Sequence, residues 1–444
     1  MSAREALDRT LLISRVLLGD GEGVDDAVLN QLRSTTVGLV ANEDNLGSVA
    51  GQSALVTLAG LVLAHGMNVV LFMPEVEVMG AQPPLRSGSL RKGLMNLAAQ
   101  AIPGCPRREA DSGLEPDLLF VLGDSPHQRT TLPSWRLIGE DWHGGTIPST
   151  EPGQRWSCAL PLGACVSAAI ASIEPYKYAL AKAAKALDIR PPVPELLAPA
   201  TRASFSFGDG LPTSLDLDLG EVDFISAGAI NTSALHVLYR LPELRASGRI
   251  LDSEDLEVSN LNRYLLALPR NIGQHKVDVL TQWNSDSISF RGVHALYAET
   301  NIGHFSPLAA HVVVGTDDVK ARWLVQRQWP RWLGVGATAD FLTLTSDHVP
   351  AHPCAGCLHP VDDDVDLTIP TLSTVSYWAG LLVAVRLLRH CLGVPYPRNM
   401  QALALWPLRL DYRTSTLWQP VHRHAMCPVE MDTGWTHRQL STAT

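Results

Sequence analysis

Three apolar runs in the first half of the chain have the length of buried strands and end in turn residues. They lie within 37–51, 68–74 and 118–125, and the first continues into the apolar start of a helix. Short apolar runs bounded by glycine, asparagine and aspartate are typical of strands that are covered on both faces. The pattern therefore predicts strands that alternate with helices.

The second half of the chain repeats this order of elements. Comparable strands lie within 222–233, 248–255 and 312–318, and a proline-rich segment without periodicity, 191–203, separates the two halves as a linker. Strands alternating with helices indicate a mainly parallel sheet with helices on both faces. We predict an α/β fold of two tandem Rossmann-like domains, similar enough in plan to indicate a duplication.

Composition narrows the class of protein. The 444 residues are 46% hydrophobic and carry a net charge of −10, which suits a large core and argues against binding to nucleic acid. The longest apolar stretch, Ala54–Met73, contains His65 and Asn68 and indicates a buried helix and strand rather than a membrane span. Seven cysteines and a polar N-terminus favour a cytoplasmic protein without a disulfide framework.

Polar residues follow two strands of the second half where each strand ends. Asp252 closes one apolar run, Asn260 and Arg263 come a turn or two later, and Gly315-Thr316-Asp317 closes another run. The carboxyl ends of parallel strands meet at one edge of a sheet, where nucleotides bind. An acid, a cation and a second acid at that edge suit the ribose, phosphates and magnesium ion of ATP.

These residues resemble the adenylation domain of ubiquitin-activating (E1) enzymes and their ThiF and MoeB relatives. The resemblance covers roughly residues 220–430, and its most specific part is Ser-Asn-Leu-x-Arg with a later Gly-x-x-Lys. The matching segments are Ser226–Asn231, Asp252, Ser259–Arg263, Gly273–Lys276 and Thr316–Asp317.

The glycine-rich turn departs from the family pattern. Where Gly-x-Gly-x-x-Gly is expected, the chain reads Ser226-x-Gly228-x-x-Asn231. Of the three glycines only the middle one, Gly228, is present. The middle glycine is the one that lets the backbone approach a phosphate.

The resemblance implies a role for each residue of the second half. Asp252 would bind the ribose hydroxyls, and Asp317 would hold Mg²⁺. The residues implied to hold the phosphates are Asn260, Arg263 and Lys276.

The first half lacks this chemistry, since Met73-Pro74 stands where an acid should end the second strand. The resemblance implies an inactive adenylation domain (1–190), the linker (191–203), an active adenylation domain (204–430) and a tail (431–444), with the two domains paired as a pseudo-dimer. It also implies that Arg15, which follows Ser14, reaches from the inactive half to the ATP.

The implied activity is that of an E1-like enzyme of a bacterial ubiquitin-like conjugation pathway. It would adenylate the C-terminal carboxylate of a ubiquitin-like protein and pass the acyl group to an E2-like acceptor. A sulfur-carrier or peptide adenylyltransferase without a covalent enzyme intermediate is the alternative. An NAD-dependent oxidoreductase would need a substrate domain, and a catalytically dead scaffold would not need Arg263, Lys276 and Asp317.

Cysteines near the end of the chain suggest a zinc site. Cys354 and Cys357 form a CxxC pair where many relatives place half of such a site, and Cys427 matches the start of the second half. Glu430 replaces the expected fourth cysteine, so His424 or Glu430 would complete the set. A decayed site with free thiols stays open as the other interpretation.

The segment 361–376 matches the family's crossover loop but contains no cysteine to carry the acyl group. Alignment to the following helix favours Thr368 as a hydroxyl acceptor that forms an oxyester, with Thr371 and Ser373 next in line. Direct transfer from the adenylate, or use of a CxxC cysteine, are the alternatives.

Overall fold

The computed structural model describes residues 2–103, 115–127, 130–190, 201–350, 353–361, 369–405 and 416–429. Within these residues the chain forms two mixed α/β sheets, and each sheet has a parallel core of the Rossmann type. The predicted fold class, α/β with two Rossmann-like units, is confirmed.

The first sheet has the order β2-β1-β3-β4-β5-β6 along the described residues. Its strands are β1 (Thr36–Val40), β2 (Asn68–Phe72), β3 (Leu118–Leu122), β4 (Ser134–Glu140), β5 (His143–Pro148) and β6 (Ala203–Ser206). Strands β1 to β4 are parallel, whereas β5 and β6 join antiparallel. The pairing of β6 with β5 extends the first unit past the predicted linker to Ser206.

The helices of the first half are α1 (Ala3–Ala6), α2 (Asp8–Leu18), α3 (Val24–Ser34), α4 (Glu43–Leu46), α5 (Val49–Ala64), α6 (Leu90–Gln100) and α7 (Leu162–Ala186). The stretch Ala54–Met73 contains most of α5 and all of β2, as predicted, and α5 is buried on nearly every side. Among the described residues, no helix is both long and apolar enough to cross a bilayer.

The second sheet has the order β14-β13-β12-β11-β10-β7-β8-β9 along the described residues. Its strands are β7 (Leu217–Ile225), β8 (Leu244–Asp252), β9 (Ile288–His294), β10 (His311–Val314), β11 (Trp332–Ala339), β12 (Leu342–His348), β13 (Met400–Ala404) and β14 (Thr416–Gln419). The helices are α8 (Ala229–Leu238), α9 (Lys276–Thr281), α10 (Ile302–Phe305), α11 (Val319–Gln326), α12 (Ala355–Leu358) and α13 (Ser373–Cys391), with 3₁₀ turns at Val258–Asn260 and Pro269–Asn271.

The two sheets share a connection plan. The order β2-β1-β3-β4-β5-β6 corresponds strand for strand to β8-β7-β10-β11-β12-β13, and the second sheet adds β9 and β14 at its edges. Helix α5 follows β1 as α8 follows β7, and α7 follows β5 as α13 follows β12. The common plan is what a duplication would leave.

The halves pack against each other through a shared core. Phe205 of β6 meets the ring of Trp378 in α13 edge-on, with centroids 5.2 Å apart. The hydroxyls of Ser172 in α7 and Thr374 in α13 lie 2.7 Å apart and are buried. The first unit is therefore held against the helix that follows the crossover segment.

Candidate functional site

The turn between β7 and α8 is built without the first glycine of the family pattern. Ser226 adopts φ +81°, a left-handed conformation that costs a non-glycine residue about 1–2 kcal/mol. Its Oγ accepts a 2.8 Å hydrogen bond from the Gly228 N–H. A phosphate that used this N–H would have to displace the Ser226 hydroxyl.

Asn231 stands where the third glycine is expected. Its Nδ2 donates to the carbonyl oxygens of Ile225 (2.9 Å) and Ser226 (2.7 Å), which ties α8 to the end of β7. A Cβ at Gly315 would lie 2.5 Å from Asn231 Oδ1, so β10 needs glycine to approach this turn. Where a glycine would allow α8 and β7 to pack closely, Asn231 joins them by hydrogen bonds.

Asp252 ends β8 beside this turn. Its carboxylate accepts from the N–H groups of Ala227 (2.7 Å) and Glu254 (2.8 Å). The acid therefore lies next to the backbone that would approach the phosphates, as the sequence predicts for a ribose-binding group.

Two cations share one aromatic ring. The Arg263 guanidinium carbon lies 5.8 Å and the Lys276 Nζ 5.6 Å from the ring centre of Tyr264. Lys276 also donates to Glu254. Burial opposes the charge of Lys276, but Tyr264 and the Glu254 hydrogen bond outweigh it and raise the pKa of Lys276. Burial lowers the pKa of Arg263, whose guanidinium keeps its positive charge in proteins.

Asp317 lies exposed just after β10, and its charge acts on Arg263. The buried Arg322 of α11 donates to the Thr316 carbonyl at 2.6 and 3.2 Å and so fixes the backbone beside Asp317. Burial lowers the pKa of Arg322 to about 10. The negative charge of Asp317 favours the charged form of Arg263.

Asn260 is buried and closes a local turn. Its Oδ1 accepts from the Glu257 N–H at 2.9 Å, which shapes the 3₁₀ turn before Arg263. The structure therefore gives Asn260 a positioning contact, and its predicted phosphate contact stays a prediction.

Arg15, the predicted N-terminal arginine, pairs within its own half. Its Nε donates to Asp25 at 2.8 Å. Arg9, six residues earlier on α2, donates to the Ile369 carbonyl at 3.0 Å, and its charge acts on Arg263. Arg9 therefore contacts the second half, and its positive charge opposes that of Arg263, whereas the predicted role of Arg15 at the ATP stays a prediction.

At the corresponding edge of the first sheet, Asn45 links the ends of several segments by hydrogen bonds. The buried Asn45 of α4 donates to Asp124 (2.6 Å) and accepts from the Trp156 N–H (2.8 Å). A Cβ at Gly123 would lie 2.3 Å from Asn45 Oδ1. Asn45 thus approaches Gly123 as Asn231 approaches Gly315 in the second half, so this contact is common to both halves.

Three thiols meet near the C-terminal end of the described chain. Cys354 Sγ lies 3.3 Å from Cys427 Sγ and 3.7 Å from Cys357 Sγ, and all three residues are buried. Thiolates around tetrahedral zinc at about 2.3 Å stand roughly 3.8 Å apart, so the spacing fits. A Cβ at Gly356 would lie 3.0 Å from Cys427 Sγ, which explains the small residue inside the CxxC.

The fourth zinc ligand has no assignment among the described residues, whose thiol cluster has three members. His424 is exposed, and its Nδ1 accepts from the Met426 N–H at 3.2 Å. Glu430 lies outside the described residues. The Cys427 contact and burial raise the pKa of Cys354, whereas a bound zinc ion would favour the thiolate.

Thr368, the predicted acyl acceptor, lies outside the described residues. Thr371, Ser373 and Ser376 are buried, and Thr371 Oγ1 lies 3.4 Å from Ser376 Oγ. Helix α13 begins at Ser373, whose hydroxyl donates to the Leu61 carbonyl. These hydroxyls pack between the halves rather than facing an open site.

Sequence reasoning missed four residues of the site: Arg9, Glu254, Tyr264 and Arg322. Tyr264 directly follows the Ser-Asn-Leu-Asn-Arg string, so its position was a usable signal. No sequence signal marks Arg322, because an arginine on a short helix is expected at the surface.

The comparisons with known proteins agree with the location of the site. Residues 247–429 match the ThiF family model. An uncharacterised protein of Sinorhizobium fredii, y4jF, is 27% identical over 306 residues, which are 68% of this chain and 56% of that protein. This chain therefore spans about half the length of that relative.

Solved structures with a similar fold include E. coli MccB in complex with ATP, with a TM-score of 0.40 and 16% identity over 48% of this chain and 67% of MccB. PaaA gives a TM-score of 0.37 and 12% identity over 46% of this chain and 73% of PaaA. The segment that matches the ThiF family model contains Asp252, Arg263, Lys276 and Asp317.

Proposed function

We propose that the protein is an E1-like adenylyltransferase that uses ATP to activate the C-terminal carboxylate of a ubiquitin-like protein. The observation that carries the proposal is the pair of cations, Arg263 and Lys276, on the ring of Tyr264 beside Asp252. The ThiF family match over the same segment supports it.

In the proposed reaction a carboxylate oxygen attacks the α-phosphorus of ATP. A new P–O bond forms, the bond to the pyrophosphate oxygen breaks, and the acyl adenylate remains. The terminal carboxylate is already ionised at pH 7, so no general base is required. The barrier is electrostatic, because an anion approaches a polyanion, and Arg263 and Lys276 would lower it by neutralising phosphate charge.

The residues present fit magnesium and nucleotide. Asp317 offers an exposed carboxylate oxygen, the ligand type that Mg²⁺ prefers. Magnesium bound there would shield the phosphates. Lys276 is held by Glu254, so ATP would replace one anionic partner of the ammonium by another.

We further propose that the first half is an inactive partner domain. No acid ends β2, where Met73-Pro74 stands in place of the equivalent of Asp252, and no Ser-Asn-Leu-x-Arg string follows it. Its contribution to catalysis would come through α2, whose Arg9 donates to the Ile369 carbonyl of the second half.

A peptide or sulfur-carrier adenylyltransferase is the alternative. The proposed site would bind ATP and a terminal carboxylate in the same way for either substrate. The lack of a cysteine in 361–376 favours transfer without an enzyme thioester. Thr368 remains the proposed hydroxyl acceptor if a covalent intermediate forms, since Thr371 and Ser373 are buried.

ATP–pyrophosphate exchange tests the proposal. The full chain is assayed with Mg²⁺-ATP and either a ubiquitin-like protein ending in glycine or a short peptide with a free carboxylate. Exchange that needs the ubiquitin-like protein supports the E1-like activity, and exchange with the peptide alone supports the peptide adenylyltransferase. A conjugate that resists dithiothreitol and is lost in Thr368→Ala would identify the oxyester. No exchange with any carboxylate donor, together with no ATP binding, would refute both readings.

Arg9 should matter more for adenylation than Arg15. We expect Arg9→Ala to slow exchange by about 100-fold, the usual effect of removing one charged group that stabilises a transition state. Arg15→Ala should leave the exchange rate near that of the wild type, because Arg15 pairs with Asp25 in the first half. The opposite result would restore the sequence-based assignment of Arg15.

The purified protein should contain about one zinc ion per chain if the three thiols share a metal. Cys354→Ser should then lower both the zinc content and the melting temperature. Cys391→Ser is the matched control, since Cys391 is half-buried at the end of α13 and away from the cluster, and should keep the zinc. Metal-free wild-type protein of full stability would show that these are free thiols.

A further inference from the structure

A second group of metal-binding side chains lies beside the candidate nucleotide site. Asp255 follows β8, His275 precedes α9, and His294 ends β9 directly across from Asp252. One ligand atom of each of Asp255, His275 and His294 lies within 4.8 Å of the others. The sequence analysis gave no role to any of the three.

Backbone and side-chain contacts bring these three residues together. Asp255 and His275 form an isolated antiparallel bridge, and His275 Nδ1 lies 2.6 Å from Asp255 Oδ1. The rings of His275 and His294 stack with centroids 3.6 Å apart, and His294 Nε2 lies 3.9 Å from the same carboxylate oxygen. Their side chains are 41–53% exposed, so an ion can reach them from solvent.

We propose that Asp255, His275 and His294 form a binding site for a divalent first-row transition ion, with Zn²⁺ as the best match. Two imidazole nitrogens and one carboxylate oxygen suit Zn²⁺ or Ni²⁺, whereas Mg²⁺ prefers oxygen ligands alone. Three protein ligands leave coordination positions open to water or to another ligand.

The ion would replace existing hydrogen bonds. His275 Nδ1 is bonded to Asp255, and His294 Nε2 lies 2.7 Å from the Ser253 carbonyl, so both contacts would be exchanged for coordinate bonds. Each neutral imidazole would then carry its proton on the ring nitrogen that does not bind the ion. A plain hydrogen-bonded surface cluster is the competing explanation.

A bound ion would also connect three segments of the site. It would join the loop after β8 to the start of α9 and the end of β9. Lys276 is next to His275 and its N–H donates to the Glu254 carbonyl at 3.0 Å, so the ion would stiffen the loop that holds the Lys276–Glu254 pair. The proposal does not depend on the adenylation chemistry.

Zinc binding by the full chain, in chelator-buffered Zn²⁺ without ATP, tests the site. The double variant His275→Asn, His294→Gln keeps amide groups near the two hydrogen-bonding nitrogens but removes the imidazoles. Since loss of a supporting hydrogen bond alone costs 10–100-fold in metal affinity, loss of both ligands should cost at least about 100-fold. His304→Gln, at an exposed histidine of α10, should bind as the wild type does.

Cys354, Cys357 and Cys427 are unchanged in all these variants, so any zinc that they bind adds equally to the zinc content of each protein. One zinc ion more per chain in the wild type than in the double variant, and a melting temperature that rises with added Ni²⁺ only in the wild type, would support the site. Asp255→Asn should show the same loss with a smaller structural change. Equal zinc uptake by wild type, double variant and Asp255→Asn would overturn the proposal.

Discussion

Asp317→Ala is expected to abolish substrate-dependent ATP–pyrophosphate exchange, with a loss of at least about 100-fold. Asp317 is the exposed acid at the end of β10, and its charge already acts on Arg263. Without a carboxylate there, magnesium would lose its protein ligand, and the leaving pyrophosphate would carry unshielded charge. Asp317→Asn should be nearly as inactive, since it keeps the shape but removes the charge.

The first half supplies a matched control. Asp124 is the acid at the corresponding strand end, and its Oδ1 accepts from Asn45. Asp124→Asn keeps that acceptor oxygen and should leave exchange and folding unchanged. Exchange rates near the wild-type value in Asp317→Ala, with the fold checked by circular dichroism, would mean that magnesium is held elsewhere.

The strand ends of the site were predictable from sequence. Apolar runs that stop at Asp252 and at Gly315 give both the strand and its last residue, and parallel strands bring such ends to one edge. The observed β8 and β10 end at Asp252 and Val314, so the acids lie where the pattern predicts. This part of the site rests on local sequence alone.

The arginine from the first half was not predictable in the same way. Arg9 and Arg15 lie on one helix, six residues apart, and side chains at that spacing point in directions roughly 120° apart. They cannot face the same neighbour. Which arginine faces Arg263 depends on how α2 packs against the second half, a tertiary contact that leaves no local pattern.

The segment between β1 and α5 is a second place where the sequence alone does not predict the structure. The sequence between β1 and α5 reads as a turn, but the structure has a helical turn, α4, with Asn42 as its cap. Asn45 on that turn approaches Gly123 as Asn231 approaches Gly315 in the second half. The absence of an acid at Met73-Pro74 is visible in the sequence, whereas the contact between Asn45 and Gly123 is visible only in the structure.

Gly380→Ala should destabilise the protein even though alanine favours helices. Gly380 lies on α13 against α8, and a Cβ there would come 2.4 Å from the Ile230 carbonyl oxygen and 2.6 Å from the Ala234 nitrogen. These are backbone atoms and cannot rotate away, so the helices must separate. Overpacking of this kind costs about 1–3 kcal/mol, which exceeds the gain of roughly 0.5–1 kcal/mol from replacing a helical glycine.

Gly60→Ala is the matched control within the same fold. Gly60 lies in α5, and a Cβ there would meet its nearest neighbour, Leu265 Cδ2, at an ordinary 3.6 Å. The substitution should therefore raise the free energy of unfolding, by up to about 1 kcal/mol. Urea unfolding of both variants should give midpoint shifts of opposite sign.

The same pair tests whether α8 positions the nucleotide turn. Gly228 is the N-cap of α8, so a displacement of that helix moves the backbone that would approach the phosphates. Gly380→Ala should lower Mg²⁺-ATP affinity under conditions where the variant is still folded, whereas Gly60→Ala should not. If the two variants differ in stability but bind Mg²⁺-ATP with equal affinity, the packing of α8 against α13 does not influence nucleotide binding. Equal shifts in stability would show that the close contact at Gly380 relaxes without strain.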